Sequence, residues 1–377
     1  MNSLLSDVIC IADGMLPILL GNEPAGAVWG VLVVIVVSLA AITKGGDLFT
    51  DASVSIAHTT RIPPAIVGAT IVSTATSFPE FMVSLTGVFA GSTEFAVGNV
   101  VGSCLCNIGL IVGLCAVLPS LMKSQRGTWT GLFAERSMLQ GPGMFMLFIA
   151  VLTCVFALFG STQPPHAAYP YDISRWKGVV LLLGLLWYIL TSIRSARTAR
   201  RNSAAEMLPV PASADDFEPV VASGLLKTAV IFVLACGMVV IGSRLLVTNG
   251  EALALRFGVP KLILGLTLFA IGTSLPELTV SLMAVLKGHQ DLGIGNVVGS
   301  NIVNICWVLA TCATVETLPV AAQTALIDLP VVLLLSVMLV AIPWKSGTIS
   351  PRAGWALLSI YLLHVVGVSL AGMAAGA

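Results

Sequence analysis

Charge is scarce in this chain. Only 10% of its 377 residues are charged and 7% are aromatic, whereas 57% are hydrophobic and the mean hydropathy is +1.00. So little polar surface cannot clothe a soluble globule of this length, which makes the chain an integral membrane protein. Histidine is rarer still: His58, His166, His289 and His364 are far apart and suggest no cluster. No HExxH motif and no nucleophile with an evident base are present, which argues against a membrane-embedded metalloenzyme. The eight cysteines are scattered, seven of them (Cys104, Cys106, Cys115, Cys154, Cys236, Cys306 and Cys312) within apolar stretches and Cys10 near the start. Cys104-Leu-Cys106 lacks zinc-site spacing, so the thiols read as small, polarizable packing residues. Polar and apolar residues do not alternate, and segments such as VVLLLSVMLVAI are apolar on every side, so a β-barrel is excluded. The opening MNSLLSDVICIADGMLPILL carries Asp7 and Asp13 and no basic residue, so it does not read as a secretory signal.

Long apolar runs are what the chain has in abundance. They fall at Ala27 to Thr43, Pro64 to Phe89, Phe95 to Leu118, Gly141 to Phe159, Gly178 to Ile193, Gly224 to Val247, Lys261 to Leu286, Leu292 to Ala313, Thr324 to Ile342 and Ala353 to Leu370. Each is near the ~20 residues that cross a bilayer as a helix, giving an all-α membrane protein of about ten spans. Net charge is zero, but with the N-terminus outside, 13 of the 18 Lys and Arg residues fall in cytoplasmic loops, as the positive-inside rule requires. The one long polar stretch, RSARTARRNSAAEMLPVPASADDFEP, reads as a solvated linker. The expected organisation is an N-terminal segment 1–26, a five-helix half 27–193, a cytoplasmic linker 194–223 and a second five-helix half 224–377.

The two halves are copies. A shift of 197 residues aligns Pro63–Leu110 with its counterpart at 21 of 48 positions without a gap, setting Glu80 on Glu277 and Asn107 on Asn304. Gly45 and Leu48 align with Gly242 and Leu245 at the same shift, so whole five-helix units were duplicated. Five is odd, so the second copy enters the bilayer upside down. Inverted repeats with interrupted helices meeting near the midplane are a recurring plan of secondary transporters.

Each copy carries one glutamate beside a proline inside an apolar run. A carboxylate at mid-bilayer depth costs about 2.5–3.5 kcal/mol on insertion scales, and a cation is the natural compensation. Thr76 with Glu80, and Thr273 with Glu277, are spaced to share one helical face. Asn99, Ser103 and Asn107 form a second stripe, and Asn296, Ser300 and Asn304 form its repeat. Pro79 and Pro276 break the helix and are expected to free the carbonyls of Ala75 and Gly272. Oxygen-only donors suit hard cations such as Ca²⁺ and Na⁺, not zinc or copper. Gly98, Gly102, Gly295 and Gly299 read as packing positions, and Asn99 and Asn296 either ligate or bond between helices. Asp47 and Asp51 face Arg244 and Thr248 in the repeat and read as helix-end residues, and Asp328 as an interfacial one.

These motifs, TATSFPEF with GNVVGSCLCNI and GTSLPEL with GNVVGSNIVNI, resemble the paired repeats of the sodium/calcium exchanger branch of the calcium/cation antiporter superfamily. The resemblance implies that Glu80, Glu277, Thr76 and Thr273 bind Ca²⁺. It further implies that carbonyls at Ser73 and Ala270, with hydroxyls at Ser103 and Ser300, serve flanking Na⁺ sites, while Asn107 and Asn304 line the middle position. Ser77, Ser274, Asn99 and Asn296 are expected just behind the ligands or in packing, and the first and sixth helices as a separate sliding pair. Members of the family in prokaryotes often carry Asp where this chain has Asn304, which leaves two central carboxylates.

The expected activity is exchange of Ca²⁺ for Na⁺ across the cell (inner) membrane by alternating access. The alternatives are a Ca²⁺/H⁺ or K⁺-dependent exchanger and, from another class, a cation channel, against which the inverted repeats stand. Partners are inorganic cations and the lipid bilayer, with no nucleic acid, no cofactor and no enzymatic activity.

Overall fold

A computed structural model describes residues 26–60, 62–122, 129–159, 170–205, 224–256 and 270–376. The N-terminal segment with Cys10, His166, the later part of the linker and the start of the seventh apolar run lie outside the described residues. The chain runs α1 (Gly26–Thr60), α2 (Pro64–Thr76), α3 (Phe78–Phe89), α4 (Thr93–Leu121), β1 (Leu132–Phe133), α5 (Arg136–Leu158), β2 (Tyr171–Ile173) and α6 (Arg175–Ala205). The second half follows with α7 (Leu225–Arg256), α8 (Ala270–Thr273), α9 (Leu275–Leu286), α10 (Gln290–Val315), β3 (Leu318–Val320), α11 (Thr324–Ser346), β4 (Thr348–Ile349) and α12 (Pro351–Gly376).

Among the described residues eight of these helices are long and apolar enough to cross a membrane, and α2 with α3, bent by 43° at their junction, is long and apolar enough when the two are taken together. The shorter α9 follows α8 at the position of the expected seventh span. The bend has a local cause. Pro79 and Pro276 each occupy the first turn of the later helix, where a missing N–H costs nothing, and Ser77 and Ser274 before them leave helical geometry (φ −83, ψ 4 and φ −90, ψ 6).

Two helices run well past their apolar stretches. α1 extends to Thr60 rather than Thr43, about 50 Å at 1.5 Å per residue. Its polar continuation is held because Lys287 Nζ, just beyond α9, lies 2.7 Å from Asp51 Oδ1 and 3.3 Å from Asp47 Oδ1. The two aspartates are therefore mid-helix partners of a lysine, not helix-end residues as their sequence position implied. α6 likewise continues through residues 194–205, because RSARTARRNSAA is rich in good helix formers.

The centre is formed by α4 and α10, with 83% of the apolar stretch of each buried, against 11% for α6. Both carry the small-residue sequence GNVVGS, which lets other backbones approach. A Cβ at Gly68, Gly295 or Gly299 would overlap backbone or side-chain atoms across the α2–α10 contact. Gly98 and Gly102, in contrast, meet no described atom within 4 Å, so among the described residues close packing is seen at the glycines of α10. α1 and α7 pack on each other through Phe49 and Phe232, ring centroids 4.4 Å apart, in a hydrophobic cluster distinct from that of α4, α5, α11 and α12.

Short antiparallel ladders join the halves, β1 to β4 and β2 to β3. In each half the first strand follows the central helix and the second follows the next span, so one ladder maps onto the other under the repeat. Beside the second ladder, Lys177 is fully buried and donates to the carbonyls of Phe156 and Asp172, each at 2.8 Å, and to Asp172 Oδ1 at 3.2 Å. A buried ammonium persists only with such a full set of acceptors.

Candidate ion-binding site

The site is assembled from two helix pairs, each interrupted at a serine, α2 with α3 and α8 with α9, and the two central helices. Glu80 and Glu277 occupy the first turns of α3 and α9, where the positive ends of the helix dipoles favour a carboxylate. Both are fully buried. Thr76, Ser73, Ser103, Ser300, Asn107 and Asn304 are buried with them, and Thr273 is half-buried. Ala270 opens α8.

Asn107 and Asn304 lie in π-helical turns, Cys106–Val112 and Asn304–Leu309, at matching places in α4 and α10. Such turns rotate the following residues relative to an α-helix and recur at functional sites. A third π turn, Gly68–Val72 in α2, leaves the Ala69 carbonyl to accept the Tyr188 hydroxyl at 2.8 Å.

The hydrogen bonds cross between the halves. Ser77 Oγ donates to Glu277 Oε1 at 2.9 Å, and Thr76 Oγ1 to Asn296 Oδ1 at 3.3 Å. Thr76 and Ser300 also stand beside the Glu277 carboxylate. The Ser73 carbonyl accepts the Ser77 N–H at 3.0 Å and the Thr76 hydroxyl at 3.3 Å. One freed carbonyl is already engaged: the Ala75 oxygen lies 3.7 Å from the Cys236 thiol on α7, so it is not simply available as expected from Pro79.

Asn99 and Asn296 bond between helices. Asn99 Nδ2 donates to Ser84 Oγ, and Asn296 Nδ2 to Ser281 Oγ, both at 2.9 Å, with Asn99 Nδ2 also 3.5 Å from the Glu80 carbonyl. Ser84 and Ser281 escaped sequence reasoning, although each lies one helical turn after a glutamate and is identical in the two copies. Asn301 also escaped it, because its counterpart is Cys104. Its Oδ1 accepts Asn107 Nδ2 at 3.1 Å.

Many acceptors here have no protein donor. Among the described residues, both oxygens of Glu80, Oε2 of Glu277, Oδ1 of Asn107 and Oδ1 of Asn304 are buried without a hydrogen bond, as are the hydroxyls of Ser103, Ser300 and Thr273. A buried polar atom left unpaired costs about 1–3 kcal/mol, more when charged. A cation is the kind of ligand that such a group of oxygen acceptors could satisfy. Among the described residues no three or more His, Cys, Asp or Glu side chains converge as a metal cluster. The donors are therefore oxygens from carboxylate, amide and hydroxyl, the set preferred by hard cations.

Outside this constellation, Asp328 is largely buried in the protein, its Oδ1 3.3 Å from His364 Nε2. All seven cysteines among the described residues are free thiols.

Broken helices from two repeats, meeting over buried carboxylates, define a membrane transporter of the inverted-repeat type. The sequence pattern of the family described as sodium/calcium exchanger protein matches residues 30–194 and 227–370, and the chain belongs to that family. It is 29% identical over 350 residues to the sodium/calcium exchanger MaX1 of Methanosarcina acetivorans, covering 88% of this chain and 97% of the relative. It is 31% identical over 322 residues to the inner membrane protein YrbG of Escherichia coli, covering 85% and 90%. The fold matches a solved structure of the sodium-calcium exchanger NCX_Mj soaked with 10 mM Na⁺ and zero Ca²⁺, with a TM-score of 0.71 at 25% identity, covering 90% of this chain and 99% of that one.

Proposed function

We propose that the protein exchanges Ca²⁺ for Na⁺ across the cell membrane, with Glu80 and Glu277 as the shared carboxylates. The observation that carries this reading is the concentration of unpartnered, buried oxygen acceptors around Glu80 and Glu277 among the described residues. Thr76 and Thr273 complete the Ca²⁺ position. Ser103 and Ser300, with the carbonyls of Ser73 and Ala270, serve Na⁺, and the amides of Asn107 and Asn304 line the middle. Two carboxylates carry a charge of −2, which one Ca²⁺ or two Na⁺ neutralises.

Coupling follows from competition. Each ion needs the same carboxylates, so loading one excludes the other. Only a neutralised site crosses the low-dielectric barrier between the two openings. In this reading residues 27–193 and 224–377 are the two inverted halves, 194–223 is the cytoplasmic linker, and 1–26 is a separate N-terminal segment. Names given to relatives, an inner membrane protein among them, support a location in the cell membrane.

The test uses purified protein in sealed vesicles. Ca²⁺ uptake is expected under an outward Na⁺ gradient and not under an outward H⁺ gradient without Na⁺. Uptake driven by H⁺ alone would replace Na⁺ with the proton as the coupling ion, and flux requiring no counter-ion would make the protein a channel.

A further inference from the structure

An asparagine can present either its carbonyl oxygen or its NH₂ group to a cation, and only the oxygen is useful. Asn107 is fully buried and its Nδ2 is held at 3.1 Å by Asn301 Oδ1. Its own Oδ1 is buried with no hydrogen-bond donor among the described residues. The orientation of Asn301 is fixed in turn. Its Nδ2 lies 3.7 Å from the thioether sulfur of Met146 on α5, a weak acceptor that cannot serve the oxygen end of the amide. Turning Asn301 over would set its oxygen against sulfur lone pairs and its NH₂ against Asn107, and Asn107 would then have to accept, showing its own NH₂ to the site.

We infer that Asn301 is a positioning residue that locks the Asn107 amide with its carbonyl oxygen toward the transported ion. The inference deepens the proposed function and rests on it. The repeat supplies an internal contrast. Cys104 stands where a second Asn301 would be, and among the described residues Asn304, the counterpart of Asn107, has neither its Nδ2 nor its Oδ1 engaged. The molecule therefore has one amide held in a single orientation and one held in neither. Asn107 is thus the amide ligand ready before the ion arrives, and a ligand already oriented does not spend binding energy on being ordered.

The experiment installs the residue of the first half, Asn301→Cys, and reads Ca²⁺ half-saturation in Na⁺-driven uptake together with Ca²⁺-dependent thermal stabilisation of the purified protein. Loss of one oriented hydrogen bond, worth roughly 1 kcal/mol or somewhat more, should raise half-saturation by about five- to tenfold, with the maximal rate within about twofold. The decisive arm repeats Asn301→Cys in an Asn107→Asp background. A carboxylate has oxygen at both ends, needs no orienting and has no donor for Asn301 Oδ1, so there the same substitution should not weaken Ca²⁺-dependent stabilisation. An equal loss in both backgrounds would mean that Asn301 acts only by packing and would overturn the inference. So would Asn301→Cys protein with unaltered affinity beside a normally active parent. Failure of the parent itself to take up or bind Ca²⁺ would be the distinct failure of the proposed function.

Discussion

The two halves of this protein share their motifs but only part of their hydrogen bonding. Ser77 of the first half donates to Glu277, whereas Ser274, its counterpart, lies beside the Cys106 thiol and donates nothing to Glu80. Thr76 reaches Asn296 across the centre, while the Thr273 hydroxyl is unpartnered among the described residues. The backbone contact differs in the same sense among the described residues, with α2 pressed on Gly295 and Gly299 of α10 while Gly98 and Gly102 of α4 meet no described atom within 4 Å. Duplicated sequence thus supplies one set of parts, and the conformation uses them unequally. An alternating-access transporter needs this, because a symmetric arrangement would open both sides alike or neither.

Removing either shared charge should have the largest effect. Glu80→Gln and Glu277→Gln are each expected to lower Na⁺-driven Ca²⁺ uptake by more than about a hundredfold, since a site of charge −1 no longer neutralises Ca²⁺ and the deficit is felt at low dielectric. Uptake above a tenth of normal in either would mean that the carboxylates are not equivalent in charge compensation.

The glycine contrast should be visible in folding. Gly295→Ala forces a Cβ into the Ala65 backbone and should cost about 1–3 kcal/mol of stability, whereas Gly98→Ala should stay within about 0.5 kcal/mol. Thermal unfolding in detergent reads both. Equal losses would place α4 and α10 in the same packing.

Ser77→Ala removes the hydroxyl that donates to Glu277 Oε1 and should weaken Ca²⁺ binding by about threefold to tenfold. Ser274→Ala should change it by less than about twofold. Reversal of that order, measured by calorimetric titration, would exchange the roles of the halves. The smallest effect is expected from Lys287→Gln. Its pairs with Asp47 and Asp51 are partly exposed, so stability should fall by no more than about 1 kcal/mol.

The glutamates, the prolines and the polar stripes were legible in the sequence because duplication repeats them at one fixed shift, and a charge inside an apolar run has few structural explanations. The number of spans was nearly legible, for the same reason that hydropathy works in membranes. Helix lengths were not. Apolar windows stop at Lys44 and at Arg194, while hydrogen bonding carries α1 and α6 further, one braced by Lys287 and the other by helix-forming composition. Two-residue ladders and π turns leave no periodicity to read. Ser84 and Ser281 were readable but overlooked, since serine in a membrane helix has the ordinary role of letting helices approach. Asn301 was invisible to repeat comparison because it exists in one half alone.

The central claim is that Ca²⁺ and Na⁺ take turns on one pair of carboxylates. Its most direct test is Ca²⁺ binding to the purified protein titrated at rising Na⁺, beside the Glu277→Gln variant. The account predicts complete displacement, steeper than one Na⁺ per site, and no measurable Ca²⁺ binding in a variant that remains folded. Saturable Ca²⁺ binding that persists at high Na⁺, or survives loss of Glu277, would contradict it.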